Sequence, residues 1–370
     1  MATPKSAPQS PDVIVVGGGV FGLATALACQ ARGLQVHLFE AAKIGAGASG
    51  GIVGALSPHV PDQWNAKKAF QFRALIRAQD YWQGIEARAE LPTGYGRTGR
   101  LMPLMDTHGV EIAHARASFA KTHWEGRASW QVLEGGDMPP WLSGPFPGVV
   151  HETLSARLMP HMAVAAMAQA LRRGGAVIHE GAPVTDIAEG AVAGPWGRAV
   201  AGAVVLAHGV AGLDWLSATL GRTAGAPVKG QAALLHAPGF DGRPLVFSDG
   251  LYVIAHGGGQ VAIGSTSEVR FETWAETDAL LNDLLGRARA LFPELDDALV
   301  LARWAGLRPK AKRRDPLLGL VPGFERVFVA NGAFKIGFGL APEVGEVLAD
   351  LVMGRPVDLP ESFTPAWHLA

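Results

Sequence analysis

The chain has 370 residues, about two to three times a common domain length, which admits one large domain or two intertwined ones. Apolar residues make up 48% and charged residues 18%, enough for a sizeable core and too little charge for a disordered chain. With 32 Lys+Arg against 33 Asp+Glu the net charge is -1, so no global field recruits a polyanion. The one cysteine, Cys29, excludes an internal disulfide framework and any cysteine-rich metal site, and it fits a reducing compartment. No metal site is expected. Glycine is frequent, at 48 residues with no collagen-like period, which suits tight turns and close backbone approach to a ligand.

The start is polar and carries Pro4, Pro8 and Pro11. It lacks the basic and apolar segments of a secretory signal, so residues 1–10 are expected as a disordered tail and the cytoplasm as location. No apolar run of about 18 residues occurs, so no membrane-spanning helix is expected. Residues 12–16 (DVIVV) are a short β-branched run and predict a buried strand. Residues 20–32 are rich in Ala and Leu and predict a helix stopped by Gly33. Residues 34–39 form a second strand ending at Glu40, which completes a βαβ unit. Further helices are expected over 65–88, 161–173, 277–291 and 342–353. Strands are expected over 96–104, 130–133, 176–179, 184–187, 203–207, 228–236, 251–255, 260–264 and 327–330. A βαβ start and a strand-rich middle imply an α/β protein with two sheets, one of them parallel.

Gly17, Gly18, Gly19, Val20, Phe21 and Gly22 supply G-x-G-x-x-G between the first strand and the first helix. Gly17 allows the tight turn, Gly19 lets the backbone approach a pyrophosphate, and Gly22 lets helix and strand pack closely. The helix N-terminus offers N–H donors and a partial positive charge. Glu40, followed by Ala41, lies 23 residues after Gly17 at the end of the second strand, where a carboxylate accepts from ribose hydroxyls. A carboxylate there also repels a 2′-phosphate, which leaves NAD or FAD.

The next segment, residues 45–51 (GAGASGG), resembles the flavin-side loop of the D-amino acid oxidase and glycine oxidase family of FAD-dependent amine oxidoreductases. The resemblance recurs at residues 203–209 (AVVLAHG), around Gly230, at residues 306–309 (GLRP), at 315–319 (DPLLG) and at 331–342 (NGAFKIGFGLAP). It implies a Rossmann-like FAD-binding domain, interrupted by an inserted, mixed or antiparallel sheet that covers the flavin. It also implies a reaction in which a hydride leaves the carbon beside an amine for flavin N5, and the imine hydrolyses. The cofactor contacts it implies, beyond the glycine turn, are Ala48, Ser49, Gly50, Val53, Gly54, Ala55, Val184, Gly209, Lys335, Gly337, Phe338 and Gly339. No cysteine stands near Arg308, so the FAD is expected to be non-covalent.

Arg308 matches the family arginine that pairs with the substrate carboxylate, a role that suits a planar two-toothed donor. Tyr252 falls on a strand of the inserted sheet, where family members often place a carboxylate-binding tyrosine. Lys335 stands where glycine oxidases commonly carry arginine, so the charge is kept and the fork is lost. Residues 260–263 (QVAI) lack the oxygen-activating lysine of sarcosine-oxidase-like members, which leaves O2 or another acceptor open. His59 and His256 lie in loops that could approach the site, and His208 reads as structural. Lys310, Lys312, Arg313 and Arg314 form a basic cluster, read as a solvated loop or as a patch beside the substrate entrance.

The expected substrate is an amino acid or small amine bearing a carboxylate. Residues 48–58 (ASGGIVGALSP) also resemble the flavin domain of enzymes that oxidise a carboxymethylaminomethyl group on tRNA, and a non-catalytic FAD-binding protein is a third reading. The FAD-binding domain is expected over 11–90, 149–225 and 305–365. The substrate domain is expected over 91–148 and 226–304. The oligomeric state has no sequence signature.

Overall fold

In a computed structural model of the chain, residues 10–142 and 144–369 are described. The expected disordered tail therefore lies outside the described residues except for Ser10, which is exposed. The β-branched run becomes the strand Val13–Val16, buried throughout. It lies inside a six-stranded sheet in the order Leu317–Leu320, Val327–Asn331, Ala203–Leu206, Val13–Val16, Val36–Phe39, Val177–His179. All pairs but one are parallel; Leu317–Leu320 runs antiparallel at one edge. Near-continuous apolar strands are what a sheet buried on both faces requires.

Alternate residues of these strands feed two cores. Val13, Val15, Val36, Leu38, Ala203 and Val205 face the helices Val20–Ala31, Ala66–Ala89, Pro160–Arg173 and Gly337–Val352. Ile14, Val16, Phe39, Val204 and Leu206 face a three-stranded antiparallel sheet (residues 186–200) and the helix Gly209–Leu220.

A second sheet has eight strands in the order Leu299–Ala311, Gly225–His236, Gln260–Gly264, Leu251–Gly257, Leu245–Ser248, Arg100–Leu104, Gly148–Glu152, Trp130–Leu133. It is antiparallel except for one parallel pair, Leu245–Ser248 with Arg100–Leu104. One face (Ala233, Leu235, Val253, Val261, Ile263) packs on the helix Ala279–Leu291 through Leu281, Leu284 and Leu285. The other face (Ala232, Leu234, Ile254, Ala262) packs on Ile52 and Met159 from the first half of the molecule. The expected α/β architecture is thus the observed one, with the eight-stranded sheet laid over the loops of the parallel sheet.

The structure corrects several expected elements. The helix expected at 342–353 is Gly337–Val352, so Pro342 lies inside it; the small residues Gly337 and Gly339 start the helix, at the cost of one hydrogen bond to Phe338 O that Pro342 cannot give. The strand expected at 184–187 is Asp186–Ala188, which leaves Val184 in the preceding loop. The helices Thr107–His123 and Gly209–Leu220 and the strand Leu299–Ala311 were not expected. The expected limits at 148/149, 225/226 and 304/305 each cut a strand of the eight-stranded sheet.

Candidate active site

The glycine turn sits at the C-terminal end of Val13–Val16. Gly17 has φ +109, and a Cβ there would lie 2.5 Å from Ala207 O, so only glycine makes this turn. A Cβ on Gly22 would lie 2.0 Å from Gly17 O, so helix and turn touch backbone to backbone. Gly19 is different. It has extended backbone, and the one atom its Cβ would approach is Ser49 Oγ at 3.3 Å. The face above it is open, as a pyrophosphate cradle requires. The helix Val20–Ala31 has no acidic residue in its first turn and no cap from Gly19; instead Val20 N–H donates to Ser49 Oγ at 3.0 Å. The positive helix end is therefore uncompensated and its hydroxyl neighbour keeps a proton to donate.

Glu40 closes the cradle at its far side. Its Oε2 accepts from Gly18 N–H at 2.7 Å and its Oε1 from Ala42 N–H at 2.9 Å. Each oxygen keeps a lone pair for a ribose hydroxyl. The segment 181–184 runs beside it, with Ala182 N–H donating to Glu40 O at 2.9 Å and Gly181 N–H to Ala42 O at 2.8 Å. Val184, two residues after Ala182, is half-buried and packs on the core that holds Phe39. These residues fit a dinucleotide.

The flavin-side loop runs from a short 3-10 turn at Ala48–Gly50 to the strand Ala55–Leu56. Gly54 has φ +63 and packs on Leu158 O, where a Cβ would be 1.9 Å away. Val53 crosses to the other sheet; its Cγ2 would lie 2.4 Å from a Cβ on Gly264. Gly337, Phe338 and Gly339 open their helix beside the cradle, with Gly337 against Val20 and Gly339 against Leu75 and Leu56. Gly209 begins its helix and its carbonyl accepts from Asn331 Nδ2 at 2.8 Å.

Over this loop the sheet carries two expected residues, Tyr252 and Arg308, on one face, and Arg308 shares a corner with a third, Lys335. Tyr252 pairs in register with Gly264, so no side chain separates it from Val53. Arg308 is 8% exposed and lies flat over Gly230, where a Cβ would be 2.0 Å from its guanidinium nitrogens. Its Nη1 donates to Thr266 O at 3.1 Å, two residues past Gly264. Among the described residues no carboxylate is in salt-bridge contact with it. The nearest influence is Glu268, which Lys229 already engages at 3.5 Å and Gln231 Nε2 at 3.0 Å. Burial pulls the Arg308 pKa down to about 10, and Glu268 only partly offsets this. Lys335 stands beside it; desolvation, then the charge of Arg308, lower its ammonium to about 8. A corner with two cations, one of them buried, and no carboxylate in salt-bridge contact among the described residues is poised to take an anion.

The histidines do not join this corner. His256 is buried and neutral, held down to about 4 by burial, with Nε2 against Ile52 O at 2.9 Å. His208, next to Gly17, is likewise pushed to about 4 by burial. His59 packs on Gln71, with its pKa lowered chiefly by burial. The basic cluster is divided rather than continuous. Lys310 lies over the Phe334 ring at 5.4 Å, Arg313 over Trp367 at 5.0 Å, and Lys67 pairs with Asp315.

Sequence reasoning missed Arg100 and Glu152, a buried ion pair at 2.9 Å. Arg100 Nη1 donates to Tyr252 Oη at 3.3 Å. It also missed Trp304, whose ring lies 3.4 Å from where a Gly51 Cβ would be and so shields the flavin-side loop. The signal for Arg100 was present: a lone charge in an otherwise apolar strand.

A mostly parallel sheet with a glycine turn and a carboxylate at the end of the next strand, covered by a second sheet with a buried arginine at its corner, fits a dinucleotide-dependent oxidoreductase. Residues 12–351 match the family model for FAD dependent oxidoreductases, and the chain belongs to that family. It is 31% identical to a glycine oxidase of Pseudomonas aeruginosa over 374 residues, covering 98% of this chain and 100% of that one. A crystal structure of glycine oxidase from Geobacillus kaustophilus superposes with a TM-score of 0.85 at 26% identity, covering 97% and 98%. An iminodiacetate oxidase from Chelativorans sp. BNC1, at 24% identity and TM-score 0.84 over 95% and 98%, shares the fold. The reading as an FAD-dependent amine oxidoreductase of the D-amino acid oxidase and glycine oxidase type stands.

Proposed function

We propose that the protein oxidises the C–N bond of an amino acid or small amine that carries a carboxylate, and that Arg308 and Tyr252 hold this carboxylate. The observation that carries the proposal is the Arg308 guanidinium. It is desolvated, laid over Gly230 and turned to Thr266, and among the described residues no carboxylate is in salt-bridge contact with it. Bound FAD supplies the acceptor for the hydride that leaves the carbon beside nitrogen. The six-stranded sheet and its loops hold the FAD through Gly17, Gly19, Val20, Phe21, Gly22, Glu40, Ala41, Val184 and Gly209. Ala48, Ser49, Gly50, Val53, Gly54, Ala55, Gly337, Phe338 and Gly339 line its flavin end. The eight-stranded sheet supplies the substrate contacts. The lone cysteine, Cys29, is buried in the first helix with its thiol pushed up to about 12 by burial, which supports non-covalent attachment.

Arg308 meets the carboxylate with its planar fork and Tyr252 donates its hydroxyl proton to it. Lys335 adds positive charge, which holds the anionic end in place. Trp304 and Val53 exclude water from the loop between them. The amine arrives neutral, so that its lone pair can form the imine as hydride departs. No basic side chain is needed to take a proton first. Water then adds to the imine and releases a carbonyl compound and an amine or ammonia. No helix among the described residues is long and apolar enough to cross a membrane, and we place the protein in the cytoplasm.

The test is anaerobic addition of glycine, N-methyl amino acids and D-amino acids to the flavin-loaded protein, followed in the visible spectrum. Bleaching by one of them is expected, and admission of air then separates an oxidase from a dehydrogenase. A flavin that none of these reduces overturns the proposed substrate class.

A further inference from the structure

We infer that Arg100 is a positioning residue that makes the Tyr252 hydroxyl a donor only, so that this corner reads a carboxylate and rejects an ammonium. The inference rests on the carboxylate placement proposed above.

Arg100 begins its strand in the eight-stranded sheet and is 5% exposed. The strand Leu245–Ser248 lies between it and the strand of Tyr252. Its side chain crosses that strand, passing the Phe247 ring at 5.8 Å, and Nη1 reaches Tyr252 Oη at 3.3 Å. Phe247 packs against Tyr252 with centroids 4.6 Å apart, which fixes the phenol ring. A guanidinium has donors and no acceptor. The phenolic oxygen therefore accepts, and its own proton must point elsewhere. Among the described residues no acceptor takes that proton. An incoming carboxylate oxygen can take it. An incoming ammonium finds the acceptor side of that oxygen occupied by a guanidinium N–H.

Arg100 cannot itself move to the substrate. Its Nε lies 2.9 Å from Glu152 Oε1, an ion pair whose N–H is not aligned on the oxygen. Glu152 is fully buried, and its Oε2 accepts from Leu154 N–H at 2.8 Å and Ser155 N–H at 3.0 Å. The Ser155 hydroxyl bonds to Glu152 Oε1 and lies 2.9 Å from Ser57 Oγ. Arg100 Nη2 also donates to Pro58 O at 3.4 Å. Both serine and proline contacts come from the segment that follows the flavin-side loop. A buried pair held from so many sides keeps its geometry, because separating it leaves an uncompensated charge. Arg100 thus registers Tyr252 against the flavin side of the site.

The test is a double-mutant cycle on the flavin-loaded protein, read by the perturbation of flavin absorbance on titration with acetate and, in parallel, with methylamine. Arg100→Lys keeps the charge opposite Glu152 and loses the second arm to Tyr252. The Arg100→Met/Glu152→Met pair removes both charges together and serves if the lysine variant folds poorly. Tyr252→Phe is expected to weaken acetate about tenfold in the parent protein and less than about twofold in either Arg100 background. In the same backgrounds, methylamine binding is expected to strengthen, a change that loss of structural support would not produce. An equal loss from Tyr252→Phe in all backgrounds overturns the role of Arg100 and leaves the carboxylate placement standing. No loss from Tyr252→Phe in the parent protein overturns the placement of a carboxylate at Tyr252 itself, and the inference with it.

Discussion

The cradle is six consecutive residues, Gly17 to Gly22, that offer backbone; the corner above it is made of side chains, Arg308 and Lys335 side by side and Tyr252 on the same face of the sheet. The cradle depends on what is missing, since a Cβ at Gly17 or Gly22 would strike backbone at 2.5 or 2.0 Å. The corner depends on what is present: among the described residues, a guanidinium in contact with no carboxylate and a tyrosine hydroxyl whose proton has no acceptor. Backbone chemistry of the first kind is local and tolerates many neighbours. Side-chain chemistry of the second kind is built across the sheet and fails when any supporting strand shifts. Between the two, the eight-stranded sheet is joined to the loop over the cradle where Val53 meets Gly264 and where His256 meets Ile52 O.

The comparison breaks most sharply at Gly19. Its backbone is ordinary and its surroundings open, so Gly19→Leu folds but fills the cradle. FAD affinity is expected to fall at least about 1,000-fold, roughly 4 kcal/mol, with the melting temperature of the flavin-free protein little changed. Full visible absorbance in that variant would show that the cradle is not where the pyrophosphate lies.

The joint gives the next effect. His256 has a folded pKa of about 4 against an ordinary 6.5. The unfolded chain takes up the proton first as pH falls. Its contribution to stability is whole above about 6.5 and is lost as pH drops from 6.5 towards 4, on the order of 3 kcal/mol at most. Denaturant melts across this range should show that slope in the parent protein and a shallower one in His256→Asn.

In the corner, Arg308→Met is expected to raise the substrate KM about 100-fold while FAD stays bound, because a buried charge-assisted contact is worth roughly 2–5 kcal/mol. Gly230→Ala, which would drive a methyl into the guanidinium, should reproduce part of that loss without touching a charge. Normal carboxylate binding in both variants would remove Arg308 from the site.

The smallest effect sharpens the role of Lys335. It is charged below about 8, whereas the Arg308 guanidinium keeps its charge throughout. Affinity for acetate should therefore fall by a few-fold as pH rises through about 8 and then level off. Lys335→Met should remove this step; a parent titration without it would separate Lys335 from the carboxylate.

The cradle was legible in sequence because each part of it is a local signal: a β-branched strand, glycines at fixed offsets, and a carboxylate at the end of the next strand. The corner was legible only through family resemblance, which placed Arg308 and Tyr252 but not the residues that hold them. Arg100 is 52 residues from Glu152 and 152 from Tyr252, a pairing no periodicity reveals. The helix Thr107–His123 escaped because it buries only Ala113 and Ala120 and so shows no apolar stripe. The strand Leu299–Ala311 escaped because Arg303, Trp304, Gly306 and Arg308 break the alternation of an ordinary half-buried strand. Its irregularity is the site itself: the small residues make room for Trp304 and the guanidinium.

The first helix packs along Gly337–Val352, with Gly345 against Ala24 O and Arg32 paired to both Glu346 and Asp350 at 3.0 Å. These ion pairs join positions 314 and 318 residues apart. On the ribosome the glycine turn is therefore made first and completed last, since the helix that braces it emerges only after both sheets have been synthesised. Until then the first helix has an uncovered apolar flank, and the nascent chain cannot assemble a finished nucleotide site. The glycine turn thus depends for its support on a helix more than 300 residues further along the chain.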